Sequence, residues 1–271
     1  MILFKMEWKR LYKGFLIWTL LFAGLSFAFS AIYPQMFTPS LQETMDTMLS
    51  GLPESMLTTF NISLTGEASM FKPVGFFAYY FQYLFIAACI YASLLGMQSL
   101  INEESEGTID FLYAQPISRQ AILFSKFIAR LTVISFFWLL SGLSSMGSLL
   151  VFRLASDPKK EIISGITKIY FYEWLVLLFF LTLGFLVSSL LKNASHATSL
   201  SLALVFGFYL LGILSGLQEK LNFLSNWSPV HLGIPSSILN NGLPEALYLG
   251  LLSGIFLAAS FYCYTKRDFQ S

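Results

Sequence analysis

The sequence predicts an all-α integral membrane protein: six transmembrane helices, an N-terminal interfacial helix, and short re-entrant helices before the last span. Three observations carry this. The 271 residues are 56% hydrophobic and only 11% charged, against about 25% charged in soluble domains, so this surface is too poor in charge to be kept in water. Six runs, 14–33, 75–100, 127–152, 170–191, 197–217 and 246–264, are long and apolar, and a helix needs about 20 residues to cross a bilayer. Within them apolar residues follow one another continuously instead of alternating with polar ones, which excludes barrel strands. The whole chain, 1–271, reads as one transmembrane domain.

Residues 1–13 precede the first run. Phe4, Trp8 and Leu11 share one helical face, and Lys5, Lys9, Arg10 and Lys13 lie mostly elsewhere. That pattern predicts a helix lying in the membrane interface and bending into the first span at Gly14. A cleaved signal peptide is the rival, with a basic start, an apolar run and small residues at Ser30 and Ala31. The run is too long for such a leader and the amphipathic start is atypical of one.

Segment 34–74 joins the first two spans. It carries Glu43, Asp46, Glu54 and Glu67 against Lys72, and a short helix is expected over 42–49, broken by Gly51 and Pro53. It reads as a solvated lid or as part of an external gate. Segment 218–245 holds Trp227, Ser228, Pro229, His231, Pro235, Asn240 and Pro244. It is too apolar for a solvated loop and too interrupted to span. Broken backbone at membrane depth is tolerated only where protein or a water-filled cavity covers it, so short helices packed on the bundle are expected.

Orientation follows from the 16 Lys and Arg residues. Ten fall on the side of the N-terminus, and Lys5, Lys9, Arg10 and Lys13 stand directly before the first span, where the bias weighs most. An even number of spans then places both termini in the cytoplasm. Arg153, Lys159, Lys160 and Lys168 form a basic stretch on the other side and are the exception.

Several function classes are excluded or weakened. No basic stripe tracks phosphates, so no nucleic acid partner is expected. Cys89 and Cys263 lie in apolar runs and read as free thiols; no metal-ligand spacing and no catalytic set is visible. His196 and His231 fall on opposite sides and read as polar turn residues. The neighbouring Glu103 and Glu104 raise an intramembrane protease, but adjacent spans offer no histidine to complete a site. No phosphate-binding loop occurs, so the chain is not itself an ATPase by that route. Glu173 and Arg130 read as lying near span ends, where they reach the interface; a span interior without ionisable groups argues against an ion-coupled carrier. Gly212 and Gly216, Gly250 and Gly254, and the group Ser141, Gly142, Ser144, Ser145, Gly147 and Ser148 place small residues on helix faces. They read as bundle packing, or as a conduit wall or subunit interface.

The most informative stretch is 101–119, between the second and third spans. Glu103, Glu104 and Glu106 give way to Gly107 and Thr108; an amphipathic turn with Ile109, Phe111 and Leu112 follows, then Pro116, Ile117, Ser118 and Arg119. Together with the six-span layout, this stretch resembles the permeases of ABC-2 type ATP-binding-cassette exporters. Their cytoplasmic helix reads approximately Glu-x-x-x-Gly-Thr-[Ile/Leu]-x-x-Leu, then Pro-[Ile/Val]-Ser-Arg. Here Glu103, Gly107, Thr108, Ile109, Leu112, Pro116, Ile117, Ser118 and Arg119 match it, and Trp227, Ser228 and Pro229 resemble the family's Ser-Pro element ahead of re-entrant helices.

The resemblance implies a transporter subunit rather than an enzyme. A separate ABC ATPase, in two copies, would hold ATP and Mg, and this chain would need no cofactor of its own. Segment 101–119 would be the coupling helix docked in a groove of that ATPase. Glu103, Glu104 and Glu106 would supply charge; Phe111 and Leu112 would supply buried area. A second permease subunit, the same or homologous, would complete the path through the bilayer. The implied activity is efflux of an amphipathic or lipophilic substrate, of the drug or antimicrobial-peptide class, across a bacterial plasma membrane. A membrane anchor or sensor that docks an ATPase without moving cargo, and an ion-coupled secondary transporter, are the alternatives.

Overall fold

The computed structural model describes residues 2–53, 56–57, 60–105, 118–191, 193–217 and 219–266, and all regular elements among them are helical. The six long helices are α1 (Ile2–Met36), α3 (Pro73–Ser105), α4 (Arg119–Phe152), α5 (Lys159–Leu190), α6 (Ala197–Leu217) and α9 (Ala246–Lys266). The shortest have 21 residues, about 31 Å at 1.5 Å per residue, which matches the roughly 30 Å hydrocarbon layer. All six are long and apolar enough to cross a membrane, so the expected all-α membrane architecture holds.

Sequence and structure differ at two helix starts. α1 runs unbroken through Gly14, and the expected bend there is not marked by any break in the helix. Trp8 and Leu11, expected to face lipid, pack against the core instead. α5 begins at Lys159, well before the apolar run that predicts it. It carries Lys159, Lys160 and Lys168 of the basic stretch that opposed the orientation bias, with Arg153 capping α4, and two of the four have backbone acceptors. Lys168 Nζ donates to Leu239 O at 2.6 Å, and Arg153 Nη1 donates to Asp157 O at 2.7 Å.

Segment 34–74 forms α2 (Pro39–Ser50), ended at Gly51 as expected. Between the fifth and sixth spans lie a 3-10 helix (Glu219–Trp227), α7 (Pro229–Leu232) and α8 (Pro235–Asn241), the interrupted short helices the sequence calls for. Ser228 organises their start. Its hydroxyl donates to Phe208 O on α6 at 2.6 Å and accepts from His231 N at 3.1 Å.

The core is built on α3, α4 and α5, the most buried spans; α1 packs along α4, α6 along α3, and α9 along α5. An aromatic cluster of Phe81, Phe85, Trp138 and Tyr170 fills the junction, with Trp138 and Tyr170 ring centroids 4.6 Å apart and Trp138 Nε1 donating to Tyr170 O at 2.8 Å. Buried serines tie α1 to α4: Ser145 Oγ donates to Ser26 Oγ at 3.0 Å, and Ser30 Oγ lies 3.0 Å from Ser148 Oγ. The expected small-residue packing on the fourth helix is therefore a hydroxyl ladder. Tyr170 Oη joins it 2.9 Å from Ser145 Oγ.

The glycine pairs sort differently from their pattern. Gly250, Gly254 and Gly216 are exposed with nothing within 4 Å of a Cβ placed on them. Gly212 meets His231 of α7 rather than another span. The tightest crossing lies instead between α3 and α5. A Cβ on Gly96 would overlap Leu181 O, and one on Gly184 would overlap Ser93 O. Only glycine lets two backbones approach so closely.

Candidate functional site

Segment 106–117 is rooted in two helix ends. α3 carries Glu103 and Glu104 on its last turn, and α4 starts at Arg119. The N-cap Ser118 accepts from Ala121 N at 3.3 Å, satisfying one of the free amides of the first turn. Glu106, Gly107, Thr108, Ile109, Phe111, Leu112, Pro116 and Ile117 lie outside the described residues. Arg119 is described: its Nη1 donates to Thr265 O, on the last turn of α9, at 3.4 Å. The root of the segment is thus held against the final span.

About one helical turn inside Glu103, a buried ion cluster joins three helices. Glu7 of α1 receives Lys126 Nζ at 3.1 Å and Arg130 Nη1 at 2.8 Å, both from α4. The same cations reach across to α3. Lys126 Nζ donates to Ser99 O at 3.0 Å, and Arg130 Nε donates to Leu95 O at 3.0 Å. Lys126 and Arg130 sit four residues apart on a helix and so project from one face. The side chains of Lys126 and Arg130 are 3% and 1% exposed. Buried charges are sustained only when paired and hydrogen-bonded, and here two cations share one carboxylate plus carbonyl oxygens of α3.

This corrects the sequence reading of Arg130, which does not snorkel to the interface. Glu173 is corrected likewise. It sits near the midpoint of α5, fully buried, and neither carboxylate oxygen has a hydrogen-bond partner among the described residues. The cluster was missed because Glu7 lies in a run dominated by lysine and arginine and reads as one more surface charge. The usable signal was Glu7 on the same side as Lys126 and Arg130, in a chain with few carboxylates to pair them.

On the opposite side, His231 is packed against Gly212 and lines a pocket with Asn61, Gln82, Phe85 and Tyr209. Burial removes water from its imidazole and lowers its pKa. His196 sits in the 3-10 turn Ala194–His196 at the start of α6. Among the described residues no group of three His, Cys, Asp or Glu side chains is placed to hold a metal ion.

The arrangement defines a class. Six helices long and apolar enough to span a membrane carry an ionic link that joins α1, α3 and α4 near the ends of α3 and α4. The chain belongs to the ABC-2 family: the family described as ABC-2 family transporter protein matches it over residues 1–269. It is accordingly a multi-pass transmembrane component of an ABC transporter, a family that works with an ABC ATPase. No curated protein matches it in sequence.

Proposed function

We propose that this chain is the permease subunit of an ATP-driven exporter that moves an amphipathic or lipophilic substrate of the drug or antimicrobial-peptide class. The observation that supports the reading is the Glu7–Lys126–Arg130 cluster, which ties α1 to α3 and α4, the two helices that segment 106–117 joins in the chain. Two ATPase subunits, each holding ATP and Mg, close on one another and press on that segment. Glu103, Glu104 and Glu106 steer the contact, and Phe111 and Leu112 anchor it, since exposed charges contribute little to affinity and apolar burial contributes more. Gly107 lets the segment approach its partner closely. The push travels through the stems of α3 and α4, and the ion cluster carries it to α1. The binding energy of ATP thereby biases a two-state bundle by rigid-body movement. A second permease subunit, identical or homologous, completes the path.

The side bearing both termini faces the cytoplasm of a bacterial plasma membrane; the lysines and arginines ahead of α1 support that orientation. The substrate class is supported by a groove of about 480 Å³ between α4 and α5, lined mainly by Trp138, Tyr170, Phe171, Trp174 and leucines, with Ser135 and Thr167 as polar points.

The test is co-purification of the tagged chain from its native membrane in mild detergent, followed by mass spectrometry. An ABC ATPase in stoichiometric yield is expected. Its absence from intact, monodisperse material would overturn the reading. A second permease-like chain in the same material would establish a heterodimer.

A further inference from the structure

Glu173 has no task in that mechanism, and its position is costly. It lies near the midpoint of α5 with its side chain fully buried, and both carboxylate oxygens are without a hydrogen-bond partner among the described residues. Lys126 and Arg130, the buried cations, are committed to Glu7, Ser99 O and Leu95 O. The titratable groups that interact with Glu173 are the Cys89 thiol of α3 and the Tyr170 phenol of its own helix. From α4, α7, α8 and α9 no charged side chain among the described residues acts on it. One turn further along α5, Val176 packs with Phe85 of α3 against Gly233, just past α7.

An ionised carboxylate at membrane depth, without a cation or a donor, costs several kcal/mol or more. The close packing around Glu173 leaves a proton as the ligand that fits. We infer that Glu173 is a proton-binding site whose occupancy is linked to the packing of α3 against α5. In the closed bundle the carboxyl group is the neutral acid. When α3 and α5 part beside Glu173 and Cys89, pivoting on the fixed Gly96–Gly184 contact, and water enters, the O–H bond breaks, its electron pair stays on the carboxylate, and the proton passes to that water. Closing requires the reverse step. Acid therefore favours the closed bundle and alkali the opened one. One proton released on opening changes the opening equilibrium about tenfold per pH unit.

Cys89 reports this directly, because it is buried beside Glu173. In a Cys263→Ser background, the rate of Cys89 modification by a permeant maleimide would be followed against pH in the purified chain, for wild type and Glu173→Gln. Thiolate formation adds the same pH dependence to both, so their ratio isolates the carboxyl group. The wild-type rate is expected to climb up to about tenfold more per pH unit than that of Glu173→Gln. Infrared spectra at neutral pH are expected to show a protonated-carboxyl carbonyl band that the variant lacks. If Glu173→Gln does not fold, Glu173→Met serves the same comparison. Equal pH slopes, or no such band assignable to Glu173, would overturn the inference. Neither readout needs an ATPase, so the result is separable from the exporter reading.

Discussion

Arg130 and Glu7 are separated by 123 residues in the chain and by 2.8 Å in space, both buried. Lys126 contacts the other oxygen of the same carboxylate, so one acid on α1 is shared by two bases on α4. Such a cluster is asymmetric, and the asymmetry is measurable.

Glu7→Ala removes the carboxylate that both buried cations share, and breaking a buried ion pair by removing one partner costs about 3–5 kcal/mol. Arg130→Met leaves the Glu7–Lys126 pair intact and is expected to cost less. Thermal unfolding in detergent is expected to rank Glu7→Ala below Arg130→Met, with a non-additive double mutant. Equal losses would show that the three side chains do not act as one cluster.

At the α3–α5 crossing, Gly96→Ala places a methyl group into Leu181 O and Phe185 N. Backbone cannot yield as a side chain does, so a loss of at least about 1–3 kcal/mol is expected. Gly250→Ala and Gly254→Ala meet nothing and should stay within about 0.5 kcal/mol of wild type. The same unfolding assay tests all three.

His231 gives a pH dependence with a definite sign. Burial lowers its folded pKa, so the unfolded chain takes up the proton first as pH falls. The associated stability is fully present above the unfolded value of about 6.5 and is lost as pH falls through the folded one. The unfolding midpoint should drop on acidification more in wild type than in His231→Asn. Identical profiles would remove His231 as a cause.

Phe111→Ala with Leu112→Ala should release the ATPase. Full burial of a large apolar side chain contributes about 1.5–3 kcal/mol, and each 1.4 kcal/mol is tenfold in affinity. A loss of at least about tenfold in ATPase capture is expected in a pull-down at matched expression. Unchanged capture would place the docking surface elsewhere.

Glu103→Cys tests the orientation. An impermeant thiol reagent should leave it unlabelled in intact cells and label it after permeabilisation. Labelling in intact cells would reverse the topology.

The spans were legible because continuous apolar runs of bilayer length have few other structural solutions, and the broken helices of 218–245 were legible because prolines and glycines interrupt an apolar stretch. Depth was not legible. Glu173 sits three residues past the start of its apolar run, which places it near an end; the helix actually begins at Lys159, and that shift puts it in the middle. Glu7 was hidden by its basic neighbours, and only the approach of α4 and α3 reveals its role. Glycine spacing was equally ambiguous. Gly250 and Gly254 carry the recognised spacing yet face outward, while Gly96 and Gly184 have no second glycine one turn away and mark the closest approach of two spans. Periodicity within one helix says which residues share a face, not what that face meets.

Where Gly96 and Gly184 meet, peptide touches peptide with no side chain between. The two helices are fused there into one stiff beam, and a solute finds no gap between them. Within a single chain, any route across the bilayer has to skirt this beam along its flanks rather than thread the centre of the bundle.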